Sequence, residues 1–378
     1  MGDTYRKFKV AAAQGASVFC DRDATTDKAC EMILEAGRQG CELIGLPEAF
    51  IPTYPYWVFT TPITTGIRLF KKLYANSVDV PSPTTDRLCA AAKQANCNVV
   101  AGINLREASG PHYGCLFNAQ LFISKEGEIL GVRRKLTPIN NERAVWGVGD
   151  GSDLQVHDMS VGRVGALVCG EHTMGTFRYA LAAMGEQIHV SNWPGLLRES
   201  RDWDWQGFGE SVVRSHAMMS QVFLINSCSV IDADLMAAFE REGVADTQEK
   251  RDVLDAFVGF TSIISPFGTY LAGPEVNNEE KIITAEVDME DIVEAKYAHN
   301  PLGHHDRWDV ARVLVNPEHT SPLLHFGQVA AAERGLLRVG TPDAGAVVTD
   351  RSAEPMNLEA YLSAEPAKRI STEPAKLK

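Results

Sequence analysis

Short apolar runs of strand length alternate with segments whose apolar residues recur at helical spacing, and this alternation constrains the fold more than any other feature of the chain. FKVAAAQ (8–14) precedes a helix-period segment over 24–40, with Cys30, Ile33, Leu34 and Gly37 on one face, and CELIGLP (41–47) follows it, a β-α-β opening. The same reading predicts a helix over 83–96, strands over 98–104 and 115–124, and a hairpin partner over 128–134 after the Glu126-Gly127 turn. Farther on, strands are predicted over 163–169, 186–192, 222–228, 260–266 and 281–288, and helices over 174–185 and 205–219. Such alternation implies an α/β fold whose sheet is covered by helices.

Two stretches, 49–67 and 256–274, carry no charged residue, but both are broken by proline or glycine and read as buried strands and loops, not membrane spans. The N-terminus MGDTYRKFKV lacks a signal peptide's apolar core, so the chain is expected in the cytoplasm. Its formal charge of −13 repels phosphate backbones and anionic lipid, which argues against nucleic-acid and membrane-surface roles. Residues 232–255 hold eight acidic and three basic side chains and read as an exposed, solvated helical insertion. Beyond about 330 the chain turns rich in Ala, Pro and Glu, as in a tail that is disordered or ordered only by a partner.

Eight cysteines are scattered without a CxxC pair, which speaks against a zinc site and a disulfide framework. A nucleophilic cysteine needs a nearby cation or a helix N-terminus, and Cys169 fits best, ending a buried strand just before the Gly170-Glu171-His172-Thr173 turn that opens a helix. Glu48 follows CELIGLP at the carboxyl end of a strand, amid apolar neighbours that would raise its pKa toward that of a general base. Lys135 closes the run Arg133-Arg134-Lys135, where strand alternation sends Arg134 to the face opposite its neighbours; a basic run by itself is most simply a solvated face. GVGDGS (147–152) does not follow a strand and open a helix, so it is no nucleotide loop, and His304-His305-Asp306 has the wrong geometry for a metal site.

The order Glu, Lys, Cys with a strand ahead of each, in LPEAFIPTYPYW, RRKLTPINNERAVWGVGDGSDL and CGEHTMGTFRYALAAMGEQIHVSNWPG, resembles the nitrilase branch of the carbon-nitrogen hydrolase family. SIISPFGTYLAGP and AKYAHNPLGHHDRWDV extend the resemblance over residues 8 to 313. It implies a four-layer αββα sandwich over residues 1–315, with 316–378 as a C-terminal tail that is partly disordered or involved in assembly. It also implies Cys169 as nucleophile, Glu48 as general base, Lys135 as stabiliser of the developing anion, and Glu142 of the Glu142-Arg143 pair as a fourth site residue. Tyr54, Trp57, Gly170, His172 and Trp193 are the candidate substrate-binding residues, with Tyr56 beside them.

The reaction implied is hydrolysis of an organic nitrile to a carboxylic acid and ammonia through a cysteine thioimidate and an acyl thioester, without cofactor or metal. The partners implied are the small nitrile itself and further copies of the chain, as dimers that build spiral or helical homo-oligomers. The alternatives are a cyanide hydratase or amidase with the same residues, and a catalytically silent filament protein. The chain departs from the family pattern in two places. Gly170 stands where many nitrilases carry Trp, so either the pocket is wider or the backbone needs a dihedral only Gly tolerates. Asn140-Asn141 stand where a His commonly precedes the Glu-Arg pair, and Asn cannot titrate near neutrality.

Overall fold

The first half of the described chain, which a computed structural model gives as residues 4–197 and 204–320, runs β1 (Lys7–Gly15), α1 (Arg22–Arg38), β2 (Cys41–Gly45), α2 (Ile63–Asn76), α3 (Pro83–Ala95), β3 (Asn98–Arg106), β4 (Leu116–Ile123) and β5 (Ile129–Arg134). Next come β6 (Val156–Met159), β7 (Gly162–Val168), α4 (Gly175–Ala183), β8 (Ile188–Trp193), β9 (Leu196–Leu197), α5 (Trp205–Ser220) and β10 (Phe223–Ser229). The order closes with α6 (Ala233–Arg241), α7 (Gln248–Asp255), β11 (Phe257–Val258), β12 (Thr261–Ile264), β13 (Tyr270–Glu275), β14 (Lys281–Asp288) and α8 (Glu290–Ala298). Local chemistry sets several ends. Asp21 caps α1 by accepting from the Ala24 N–H, α1 stops before Gly40 with its positive φ, and Ser82 and Thr85 form a capping box on α3.

One twelve-stranded sheet is folded into two facing halves. In the first, β1, β2 and β3 are parallel and β4 and β5 antiparallel, with β14 along the other edge of β1. In the second, β7, β8 and β10 are parallel, flanked by antiparallel β6 on one side and β12 and β13 on the other. The halves join at the carboxyl end of β1, where Gln14 and Gly15 pair with Cys228 and Ser229 of β10.

Strand parity builds the layers. Val10 and Ala12 of β1, Leu43, Val100 and Phe122 pack with Val164, Ala166, Val190, Phe223 and Ile225 in the core between the half-sheets. The alternate residues Ala11, Ala13, Ile44, Val99 and Ala101 pack against Ile33 of α1 and Leu88 of α3, and Val168, Leu224 and Cys228 against Val213 and Ala217 of α5. The central strands β3, β4, β8 and β10 bury both faces and so read as near-continuous apolar runs. The architecture is the four-layer αββα sandwich.

Two expectations need correction. Residues 232–255 are not an exposed insertion: Leu235, Ala238, Phe239, Val244, Ala245 and Leu254 are buried in one cluster with Phe19, Tyr56 and Trp57. The acidic count hid an apolar i, i+3, i+4 stripe, and Asp232 is spent capping α6. The stretch 49–67 is not only strand and loop, since Tyr56–Phe59 form a 3-10 turn and α2 begins at Ile63. Among the described residues no helix is long and apolar enough to cross a membrane. The tail expected beyond about 330 lies outside the described residues.

Candidate active site

The carboxyl ends of the strands converge on one buried group of charges. Glu48 follows β2, Lys135 follows β5, Cys169 follows β7, and Glu142 comes from the 3-10 turn Asn140–Ala144. Gly102 of β3 makes the first of these turns possible, because a Cβ there would stand 2.0 Å from the Pro47 carbonyl oxygen and 2.9 Å from the Glu48 Cα. Lys135 lies at the centre: its Nζ donates to Glu48 Oε1 at 2.8 Å and to Glu142 Oε1 and Oε2 at 3.0 and 2.8 Å. Glu48, Lys135 and Glu142 are all buried, and carboxylate oxygens of both acids lie within 4.8 Å of the Cys169 sulfur. The Lys135 ammonium supplies here the positive charge that a metal would bring to such donors.

Asn118 of β4 donates to Glu48 Oε1 at 2.6 Å, which leaves Glu48 Oε2 with no hydrogen-bond partner. Burial pushes the Glu48 carboxyl up to about 8 against the pull of Lys135. Burial opposes the Lys135 charge, but Glu142 and Glu48 outweigh it and hold the ammonium protonated. Burial also pushes the Cys169 thiol well above its ordinary range, with Glu48 adding to the effect. The Cys169 side chain therefore rests as a thiol. The helix-dipole expectation is replaced accordingly, since Cys169 opens a 3-10 turn and α4 starts only at Gly175.

The run 133–135 is not a solvated face, since all three cations are buried and paired. Arg134 turns to Asp153 and Asp150, opposite its neighbours as alternation requires. Arg133 donates to Glu171 Oε1 at 2.7 Å and to Gln120 Oε1 at 2.9 Å. Glu171, which the sequence reading passed over, also accepts from the Leu136 N–H at 2.6 Å and the Val168 N–H at 2.8 Å. One carboxylate thus clamps the residue after the lysine to the residue before the cysteine. Asn118 was missed as well, although a signal exists: Asn118 and Gln120 are polar positions at period two in the apolar run LFNAQLFI.

The candidate substrate-binding residues divide. Tyr54 donates from its hydroxyl to Glu142 Oε1 at 2.9 Å and so belongs to the charge cluster. Trp57 is buried edge-on to Phe19 in the aromatic core, and Tyr56 donates to the Pro194 carbonyl oxygen. His172 is buried, stacked on Trp193, whose Nε1 donates to Ser191 Oγ. Gly170 does not need a glycine-only dihedral; the left-handed residue is Cys169 itself, at φ +47°. A Cβ on Gly170 would meet Ile139 Cδ1 at 2.9 Å, so Ile139 occupies the room that a side chain at 170 would take. Asn140 shares the left-handed conformation, and Asn141 donates to the Val58 carbonyl oxygen.

A family model described as carbon-nitrogen hydrolase matches residues 9–297. An aliphatic nitrilase of Rhodococcus rhodochrous is 38% identical over 319 residues, 84% of this chain and 84% of that protein. A nitrilase of Bacillus sp. (strain OxB-1) is 32% identical over 331 residues, 86% of this chain and 93% of the relative. Among solved structures, a carbon-nitrogen hydrolase from Helicobacter pylori G27 superposes with a TM-score of 0.60 at 20% identity, over 80% of this chain and 97% of that one.

Proposed function

The chain belongs to the nitrilase branch of the carbon-nitrogen hydrolase family, and from that premise we propose that its Glu48–Lys135–Glu142–Cys169 cluster hydrolyses an organic nitrile to the carboxylic acid and ammonia. The observation that carries the roles is the unpartnered Glu48 Oε2: Lys135 and Asn118 hold the other oxygen, and a base with one free oxygen stands beside a thiol that needs one.

Glu48 takes the Cys169 proton as sulfur attacks the nitrile carbon and passes it to the nitrile nitrogen, giving a thioimidate and an ionised Glu48. Glu48 then deprotonates a water that adds to the same carbon, and Lys135 offsets the charge of the tetrahedral intermediate. Glu48 relays both protons of that water to the nitrogen, ammonia leaves with the carbon–nitrogen electrons and a thioester remains; a second water, deprotonated by Glu48, releases the acid as Glu48 returns that proton to the sulfur. If sulfur leaves in place of ammonia, the product is an amide. Glu142 and Tyr54 hold the Lys135 ammonium in line.

Ammonia release from a panel of nitriles, amides and cyanide tests the reading; turnover of amides alone would sink it. Glu48→Gln is expected to lower kcat by at least ~100-fold. Because Glu48 must be ionised to accept a proton, wild-type kcat/KM should rise with pH toward about 8, and this limb should be lost in the variant.

The proposal places this activity in the cytoplasm, supported by eight free cysteines. It assigns hydrolysis to residues 1–315 and self-association into dimers and spirals partly to 316–378. Exposed Tyr297, Trp308, Val310 and Leu314 near that boundary support an assembly surface, which light scattering of the full chain would test by returning a monomer if the idea is wrong.

A further inference from the structure

Behind the nucleophile runs a chain of buried side chains with no part in the steps above. His172 Nδ1 lies 2.8 Å from the Cys169 carbonyl oxygen, His172 Nε2 lies 2.9 Å from His189 Nε2, and His189 Nδ1 lies 2.7 Å from Glu186 Oε1. With both histidines neutral, the direction of the chain follows. A carbonyl only accepts, so His172 carries its hydrogen on Nδ1 and accepts at Nε2. His189 must then donate from Nε2 and accept at Nδ1, so Glu186 donates from Oε1 as an un-ionised acid.

The surroundings suit neutral members. Burial pulls both histidines well below their ordinary range, with Arg133 and Arg178 acting in the same sense, and burial pushes the Glu186 carboxyl up. Room for the acid is built in, because a Cβ on Gly165 of β7 would stand 2.0 Å from Glu186 Oε1. His216 closes the other side, its ring 3.9 Å from that of His189 and its Nε2 3.7 Å from Glu186 Oε2, with neither ring nitrogen hydrogen-bonded. At the far end the chain holds the carbonyl of Cys169, the residue whose backbone stands in the left-handed conformation at φ +47°.

We propose that Glu186, donating as an un-ionised acid, anchors the Cys169 carbonyl through His189 and His172, and so fixes the left-handed backbone at Cys169 that presents the sulfur for reaction. Glu186, His189 and His172 are then positioning residues, and no bond or proton is exchanged along the chain. The inference takes Cys169 as nucleophile from the reading above.

The test compares wild type, Glu186→Gln and Glu186→Leu by the rate of iodoacetamide alkylation at Cys169, read by mass spectrometry, and by kcat and KM for a nitrile. Zinc content of the wild type after dialysis against zinc is measured alongside. Gln offers an amide N–H to His189 Nδ1 and should retain wild-type alkylation and kcat. Leu should slow both, by roughly 10- to 100-fold in kcat, with KM little changed. A Gln variant as impaired as Leu would mean that an ionised carboxylate is required and would overturn the proposal, as would a Leu variant alkylated at the wild-type rate. Stoichiometric zinc on the wild type would overturn it too, by making the three histidines a metal site. If Glu186→Leu does not fold, the near-isosteric Gln variant and the zinc measurement still decide. Alkylation needs no nitrile, so a protein alkylated as expected that hydrolyses none would refute the proposed function and leave this inference standing.

Discussion

Cys169→Ala is expected to abolish nitrile turnover in a protein that still folds. In the proposed mechanism the sulfur is the one group of the cluster that bonds to substrate carbon, and no other member of the cluster is a soft nucleophile. The fold should survive because Ala adopts the left-handed backbone at 169 no less readily than Cys. Only one small, nearly buried atom is lost, worth about 1 kcal/mol. Ammonia release and a thermal melt on the same preparation check both halves. Ammonia release at the wild-type rate from the Ala variant would move the nucleophile elsewhere.

Lys135→Met should cost more, because it removes activity and stability together. The ammonium is the counter-charge of two buried carboxylates, and methionine fills its volume while leaving Glu48 and Glu142 facing each other. Removing one partner of a buried ion pair typically costs about 3–5 kcal/mol, a large share of the ~5–15 kcal/mol that holds a typical domain folded. Denaturant unfolding measures the first effect and ammonia release the second. A variant as stable as wild type would show that Lys135 does not balance the two acids.

How far the sequence leads depends on whether a residue's setting is local. Glu48, Lys135 and Cys169 each end an apolar run, so their place at the carboxyl ends of strands is legible from periodicity alone, and Glu142 rests on the resemblance. The clamp made by Glu171 is not legible, because its three donors come from residues 133, 136 and 168 and meet only once β5 of one half-sheet and β7 of the other are brought together. The same holds for the Glu186–His189–His172 chain, which joins the end of β8 to the cysteine turn. The error at 232–255 has another cause: charge was counted over the segment and the phase of Leu235, Ala238 and Phe239 was not. Helix α2 was lost in the same way, since absence of charge says nothing about period.

The pairing of β1 with β14 also bears on how the protein is made. Lys7 lies opposite Asp288, so the outer edge of the first strand waits for a partner 288 − 7 = 281 residues farther along the chain. At ribosomal rates of roughly 5–20 residues per second, that wait lasts on the order of 14 to 56 s. Throughout it the nascent KFKVAAAQG segment offers open backbone hydrogen-bonding groups to any passing strand. The speed of translation, more than the intrinsic folding rate of the sheet, therefore sets how long each newly made chain is vulnerable to aggregation.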